Sequence, residues 1–245
     1  MTNGHTDKAM SFISHFNELR RKVFFVAIAL VVGTIVATFF AKEIYAWLQE
    51  PLLFAMSMDS DFIILTPVES WIVYIKVAIV TSIFATSPFW LYQFWSFIAP
   101  GLYKRERTSI IILGISSAAF LIGGALFCYY LIAPYGFEYF VSIIDDTDIS
   151  LMPQMGLYFA FMLRLLFAFG IVFEIPLVII FLVRWDIVPL KKMRKARPFV
   201  ILAAFIIAAI ITPPDVFTQI AVAIPFIILY EISLLIAWIF WKKEQ

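Results

Sequence analysis

Apolar runs of about twenty residues recur along the chain, separated by short polar stretches, and that is the length a helix needs to cross the hydrocarbon core of a bilayer. The runs are Val23–Ala41, Trp71–Phe94, Ser109–Ala133, Leu157–Val183, Phe199–Thr212 and Val216–Phe240. They predict an all-α, polytopic membrane protein with six transmembrane helices in one integral membrane domain, residues 1–245, and no internal repeat. The last two helices are read as short. Phe199–Thr212 reaches about 21 Å at the helical rise, against a core of about 30 Å, and its partner is interrupted by Pro225 and meets Glu231 early. Thr212-Pro213-Pro214-Asp215 forms the tight turn between them. Such a hairpin either deforms the bilayer or leans on longer helices, or it is ordinary packing. The first run is longer than the apolar part of a signal peptide, so it is kept as a span.

Composition agrees. The 245 residues are 63% hydrophobic and 14% charged, where a soluble domain has roughly 45–50% apolar and about 25% charged residues. The net charge of +1 conceals a segregation that gives an orientation. Lys8, Arg20, Arg21 and Lys22 precede the first span; Lys104, Arg105 and Arg107 follow the second. Arg184, Lys191, Lys192, Arg194, Lys195 and Arg197 follow the fourth, and Lys242 and Lys243 the sixth. The opposite side has only Lys42, with acids at Glu43, Glu50, Asp59, Asp61, Glu69, Glu138, Asp145, Asp146 and Asp148. Basic residues mark the cytoplasmic side of a membrane protein, so both termini are expected there. Lys76 and Arg164 fall inside spans, Lys76 close enough to the outer surface to snorkel.

Several chemistries are excluded. Cys128 is the only cysteine, so no intrachain disulfide or thiolate metal cluster can form. The two histidines, His5 and His15, both precede the first span. An intramembrane protease would need a Ser–His or paired-Asp centre at depth, and no span carries one. A solute transporter would usually show repeated halves with matching broken helices. The expectation is a non-enzyme with no metal and no cofactor.

Two basic segments each carry one carboxylate at a membrane edge. One is His15-Phe16-Asn17-Glu18-Leu19-Arg20-Arg21-Lys22; the other is Trp95-Ser96-Phe97-Ile98-Ala99-Pro100-Gly101-Leu102-Tyr103-Lys104-Arg105-Glu106-Arg107. Carboxylates form charge-assisted bonds with cationic groups, so Glu18 and Glu106 are candidates to receive a cationic partner. The bland alternative is an i,i+4 pair of Glu18 with Lys22 and an ordinary loop charge at Glu106. Phe12, Ile13, Phe16 and Leu19 share one helical face. They indicate a segment lying on the leaflet before span one, or a simple continuation of that span. Glu174 sits roughly 15 Å inside its span, beside Pro176. An intramembrane acid is a functional candidate by default, receiving a polar group of a partner helix or hydrogen-bonded within the bundle. Gln219 is another buried polar group to satisfy.

These segments resemble the TatC family, the multi-span receptor subunit of the twin-arginine protein translocase, over nearly the whole chain. His15–Arg20 is similar to its HLxELR motif, and Ser87–Tyr103 with Glu106 to its first cytoplasmic loop. Ala168-Phe169-Gly170-Ile171-Val172-Phe173-Glu174-Ile175-Pro176 is similar to its fourth span; Lys195–Pro198 and Thr212–Gln219 are similar to the two ends of its fifth. Phe16 stands where Leu is usual, and Lys22 where Arg is common, keeping charge but losing the planar fork. The resemblance implies binding of twin-arginine signal peptides of folded cargo through Glu18, Glu106, Arg20, Phe97, Tyr103 and Lys104. It also implies recruitment of TatA- and TatB-type single-span subunits through Glu174, Gln219, Pro51 and Asp215. The setting it implies is the bacterial inner membrane, in a complex holding several copies of the chain, with export driven by the proton-motive force.

Overall fold

The computed structural model describes residues 4–56, 62–98, 107–143 and 151–241, with side chains omitted for 4–14, 107–109 and 241. Among these residues the elements are helices, plus one isolated bridge between Ile63 and Gln154. The helices are α1 (Gly4–Phe39), α2 (Ala41–Ala55), α3 (Pro67–Ala85), α4 (Ser87–Ile98), α5 (Arg107–Phe127), α6 (Ala133–Ser142), α7 (Met155–Phe173), α8 (Ile175–Arg184), α9 (Leu190–Lys195), α10 (Arg197–Ile211) and α11 (Val216–Trp241). A π turn, Cys128–Ile132, joins α5 to α6. Among the described residues five helical stretches are long and apolar enough to cross a membrane: His15–Phe39, Pro67–Ala85, Ile110–Ser142, Met155–Arg184 and Val216–Phe240; Arg197–Ile211 is a shorter apolar helix. The all-α, multi-pass reading therefore stands.

Prolines decide where the rods bend. The second apolar run is not one helix: α3 ends at Ala85 and α4 begins at Ser87, because Pro88 lacks the N–H that Phe84 would receive. The Trp90 indole donates to the Ile83 carbonyl at 2.9 Å and the Thr86 hydroxyl to Ser82 at 2.7 Å, occupying acceptors at the break. The fourth run divides likewise at Glu174, two residues before Pro176. Pro225 does not break α11, which runs 26 residues through it, as membrane helices often do. Only α10, of 15 residues, is short, which corrects the expectation for the final helix. At the N-terminus the choice between a surface segment and a continuous span is settled by α1, 36 residues in one helix, with no proline and no glycine between Gly4 and Gly33 to interrupt it.

The stretch after α1 is a helix that the acidic loop reading missed. Ala41, Leu48, Pro51 and Leu52 of α2 are buried. Pro51 deprives the Trp47 carbonyl of its i+4 donor, and the Tyr129 hydroxyl, from the π turn, donates to that carbonyl at 2.7 Å. Tyr158 of α7 donates to the Leu48 carbonyl at 2.7 Å. These bonds clamp α2 across the ends of the long helices. Tyr129→Phe is expected to leave the Trp47 carbonyl unsatisfied and to lower stability by about 1–2 kcal/mol, read as a reduced thermal midpoint of the purified protein. An unchanged midpoint would remove the clamp from the account.

α7 is the central helix: Phe159, Met162, Phe169 and Gly170 are among its buried residues. It packs on α3 and on α5, where a Cβ added at Gly124 would sit 2.5 Å from the Phe169 carbonyl oxygen. Only glycine lets the helices meet that closely. α8 packs on α11, and Tyr230 donates to the Met193 carbonyl at 2.7 Å, fixing α9 beneath α11. By contrast α1 leans on α3 and is largely uncovered, with Phe24, Val31, Ile35 and Val36 exposed.

Candidate functional site

The basic end of α1 meets the end of α4. His15, Leu19 and Lys22 recur at i, i+4 and i+7 and so face one way. The His15 ring stacks on Phe97, centroids 4.4 Å apart. The Lys22 ammonium lies 2.7 Å from Glu18, donates to the Ser96 hydroxyl at 2.8 Å, and stands 5.9 Å from the Phe97 ring centre. Beside it opens an apolar hollow of about 220 Å³, walled by Leu19, Val26, Trp90, Phe94 and Phe97. Two predicted residues, Glu18 and Phe97, are thus brought to one place.

The local Glu18–Lys22 pair is present, as the bland alternative had it. It does not exhaust the carboxylate, because the Glu18 side chain remains 43% exposed while Lys22 is only 15% exposed. Arg20 is exposed on α1, pointing away from the Lys22 side. Tyr103, Lys104 and Glu106 lie outside the described residues. His15 and Ser96 were not foreseen as members. Heptad spacing with Lys22 would have found His15; nothing local marks Ser96.

A second polar site lies deeper. Glu174, at the α7–α8 break, accepts a hydrogen bond from Ser117 of α5, which is fully buried. Its other oxygen is buried and has no partner. Such an atom is costly in an apolar interior, so this carboxyl group is incompletely satisfied by its own fold. Its neighbour Phe173 closes one end of an open groove of about 620 Å³ along α5, lined by Ala119, Gly123, Phe127 and Leu131. The other predicted partner-contact residues have separate local roles. Gln219 donates to the Phe205 carbonyl on α10 at 3.1 Å. Asp215 caps α11, accepting the Thr218 N–H at 2.8 Å and also its hydroxyl. Pro51 is buried within α2.

A family model for "Sec-independent protein translocase protein (TatC)" matches residues 14–225, which include both sites. The chain belongs to the TatC family. A TatC of Desulforapulum autotrophicum is 40% identical over 96% of the chain and 86% of its own length. TatCy of Bacillus subtilis is 35% identical over 96% of the chain and 92% of its own. A crystal structure of the twin-arginine translocase receptor TatC superposes with a TM-score of 0.82 at 34% identity, covering 92% of this chain and 98% of that one. TatC membership makes this a protein-translocase component and a multi-pass membrane protein.

Proposed function

We propose that the chain is the signal-peptide receptor of a twin-arginine translocase, in a bacterial cytoplasmic membrane with both termini in the cytoplasm. On this reading the α1–α4 end binds the paired arginines of folded cargo. Glu18 supplies one carboxylate, Glu106 the second, and Phe97 with its hollow takes an apolar residue of the peptide. The observation that carries the reading is the half-open Glu18 carboxylate at the mouth of an apolar hollow, held by a lysine that has two further contacts of its own. A guanidinium displacing Lys22 gains a bidentate bond, while Lys22 keeps Ser96 and the Phe97 face. Glu174, with one oxygen unpaired beside an apolar groove, is the docking point for single-span TatA- and TatB-type subunits. Several copies of the chain share the complex, and the proton-motive force drives export. Orientation follows from the cations gathered at the α1, α8, α9 and α10 ends.

One experiment tests site and orientation together. A photocrosslinking residue at Phe97 is expected to capture a twin-arginine peptide added to inverted vesicles, and not one added to right-side-out vesicles. Capture only in right-side-out vesicles would reverse the orientation. No competable capture in either would remove the α1–α4 site from the reading.

A further inference from the structure

The two cations inside the spans serve neither site. Lys76 lies midway along α3 and Arg164 midway along α7, and both are exposed. Neither makes an ion pair or hydrogen bond with the described residues. On α7 the setting is unusual. Its exposed strip is Leu157, Arg164 and Ile171, a heptad apart, on a helix otherwise largely enclosed. Around Lys76 the exposed residues of α3 are Ile72, Ile75 and Ile79. An uncompensated cation among lipid-facing apolar residues is disfavoured unless it meets an anion.

The register puts the two together. α3 and α7 run parallel: the Gly156 N–H donates to Glu69 at 2.7 Å near their starts, and Phe84 and Phe167 lie 5.3 Å apart further along both. Lys76 is seven residues past Glu69 and Arg164 eight past Gly156, so they lie about 10.5 and about 12 Å along, at one depth. Lys76 immediately precedes the buried Val77, and Arg164 immediately follows the buried Leu163. For parallel right-handed helices in contact, the residue before the seam on one and the residue after it on the other emerge on the same side. Helical side chains lean toward the N-terminus, so both charges rise toward the same leaflet. The acid above them, Glu69, is already engaged by Gln154, Gly156 and Leu65.

We propose that Lys76 and Arg164 together bind the phosphate of an anionic phospholipid in the leaflet at the α3 and α7 N-terminal ends. A planar guanidinium and an ammonium at one depth are complementary donors for phosphate. Long cationic side chains reaching up from mid-helix snorkel toward the headgroup layer, which always supplies that group. A partner carboxylate at this depth would itself have to be desolvated. The proposal depends on the membrane reading of α3 and α7, not on the signal-peptide reading.

The test is native mass spectrometry of the full chain in detergent, titrated with dioleoyl phosphatidylglycerol and, separately, dioleoyl phosphatidylcholine. The wild type is expected to retain one phosphatidylglycerol in preference to phosphatidylcholine, and excess inorganic phosphate is not expected to displace it. Lys76→Gln with Arg164→Gln is expected to weaken that retention about tenfold or more. The charge-keeping pair Lys76→Arg with Arg164→Lys is expected to restore it, and Lys191→Gln with Lys192→Gln to leave it unchanged. Equal retention of both lipids by the wild type would overturn the proposal, even if the neutralised variant failed to fold. Unchanged retention in that variant would also overturn it. So would a photocrosslinker at position 164 that captured a polypeptide in place of lipid in native membranes.

Discussion

Glu106→Gln is expected to weaken binding of a twin-arginine peptide by about ten- to a hundredfold, the worth of one charge-assisted contact of about 1.5–3 kcal/mol. The substitution keeps shape and removes charge. Glu18→Gln is expected to act in the same direction, less strongly, because Glu18 is already paired with Lys22 at 2.7 Å. Exchanging the peptide's Arg-Arg for Lys-Lys gives a sharper discriminant. On the wild type it removes the planar fork that rewards bidentate contact; on either variant the carboxylate that rewards it is gone, so the exchange costs less. Lys22→Gln, by freeing Glu18 from its resident cation, is expected to raise affinity for both peptides and to keep or widen the difference between them, because the carboxylate that rewards the fork becomes fully available. The measurement is a peptide titration on purified protein with a wild-type thermal midpoint. Equal affinities for both peptides in the wild type and all three variants would refute the two-carboxylate site.

The second large effect is expected at Glu174. Glu174→Ala removes a carboxyl group with one unpaired buried oxygen but also leaves the buried Ser117 hydroxyl without its acceptor, so the isolated chain is expected to lose about 1–3 kcal/mol of stability, and the comparison is made on folded protein. The functional loss appears in association. Without the acid, a polar group on an incoming helix has no acceptor beside the α5 groove, and retention of the single-span subunit is expected to fall by about five- to a hundredfold, or about 1–3 kcal/mol. Signal-peptide binding at the α1–α4 end is expected to stay intact, since the two sites lie at different depths. Co-purification from membranes reads the first quantity and peptide titration the second. Normal export and normal co-purification at wild-type expression would reduce Glu174 to a packing residue of the α5–α7 seam.

Much of the architecture was legible because membrane helices announce themselves by length and apolarity alone. Cation placement added an orientation for the same local reason. Helix breaks were legible in part: Pro88 and Pro225 look alike in the sequence, yet one divides a helix and the other lies inside α11. Pro51 likewise lies inside its helix, with the carbonyl it frees taken by Tyr129 from far along the chain, so what a proline does to a helix depends on tertiary surroundings that the local sequence does not show. α2 was hidden because its apolar face is narrow and interrupted by acids and Pro51; its stability comes from Tyr129 and Tyr158, far along the chain. At the candidate site, Glu18 and Phe97 stood out as an acid among cations and an aromatic beside a charged loop. Ser96 did not, because a serine acquires meaning only from the lysine that the fold sets 2.8 Å away.

Lys22 also bears on how the receptor lets go. It sits on the same helix as Glu18, one turn away, and on the signal-peptide reading proposed above it would compete with a bound arginine as a tethered ligand. A tether that short gives an effective concentration in the millimolar range or above, independent of how much cargo is present. When an arginine loosens, the lysine returns to the carboxylate without diffusing to it, and rebinding of the same peptide is disfavoured. The consequence is a ceiling on residence time. On that reading cargo would be held long enough to be recognised, and the resident cation would then help clear the carboxylate for the next passenger.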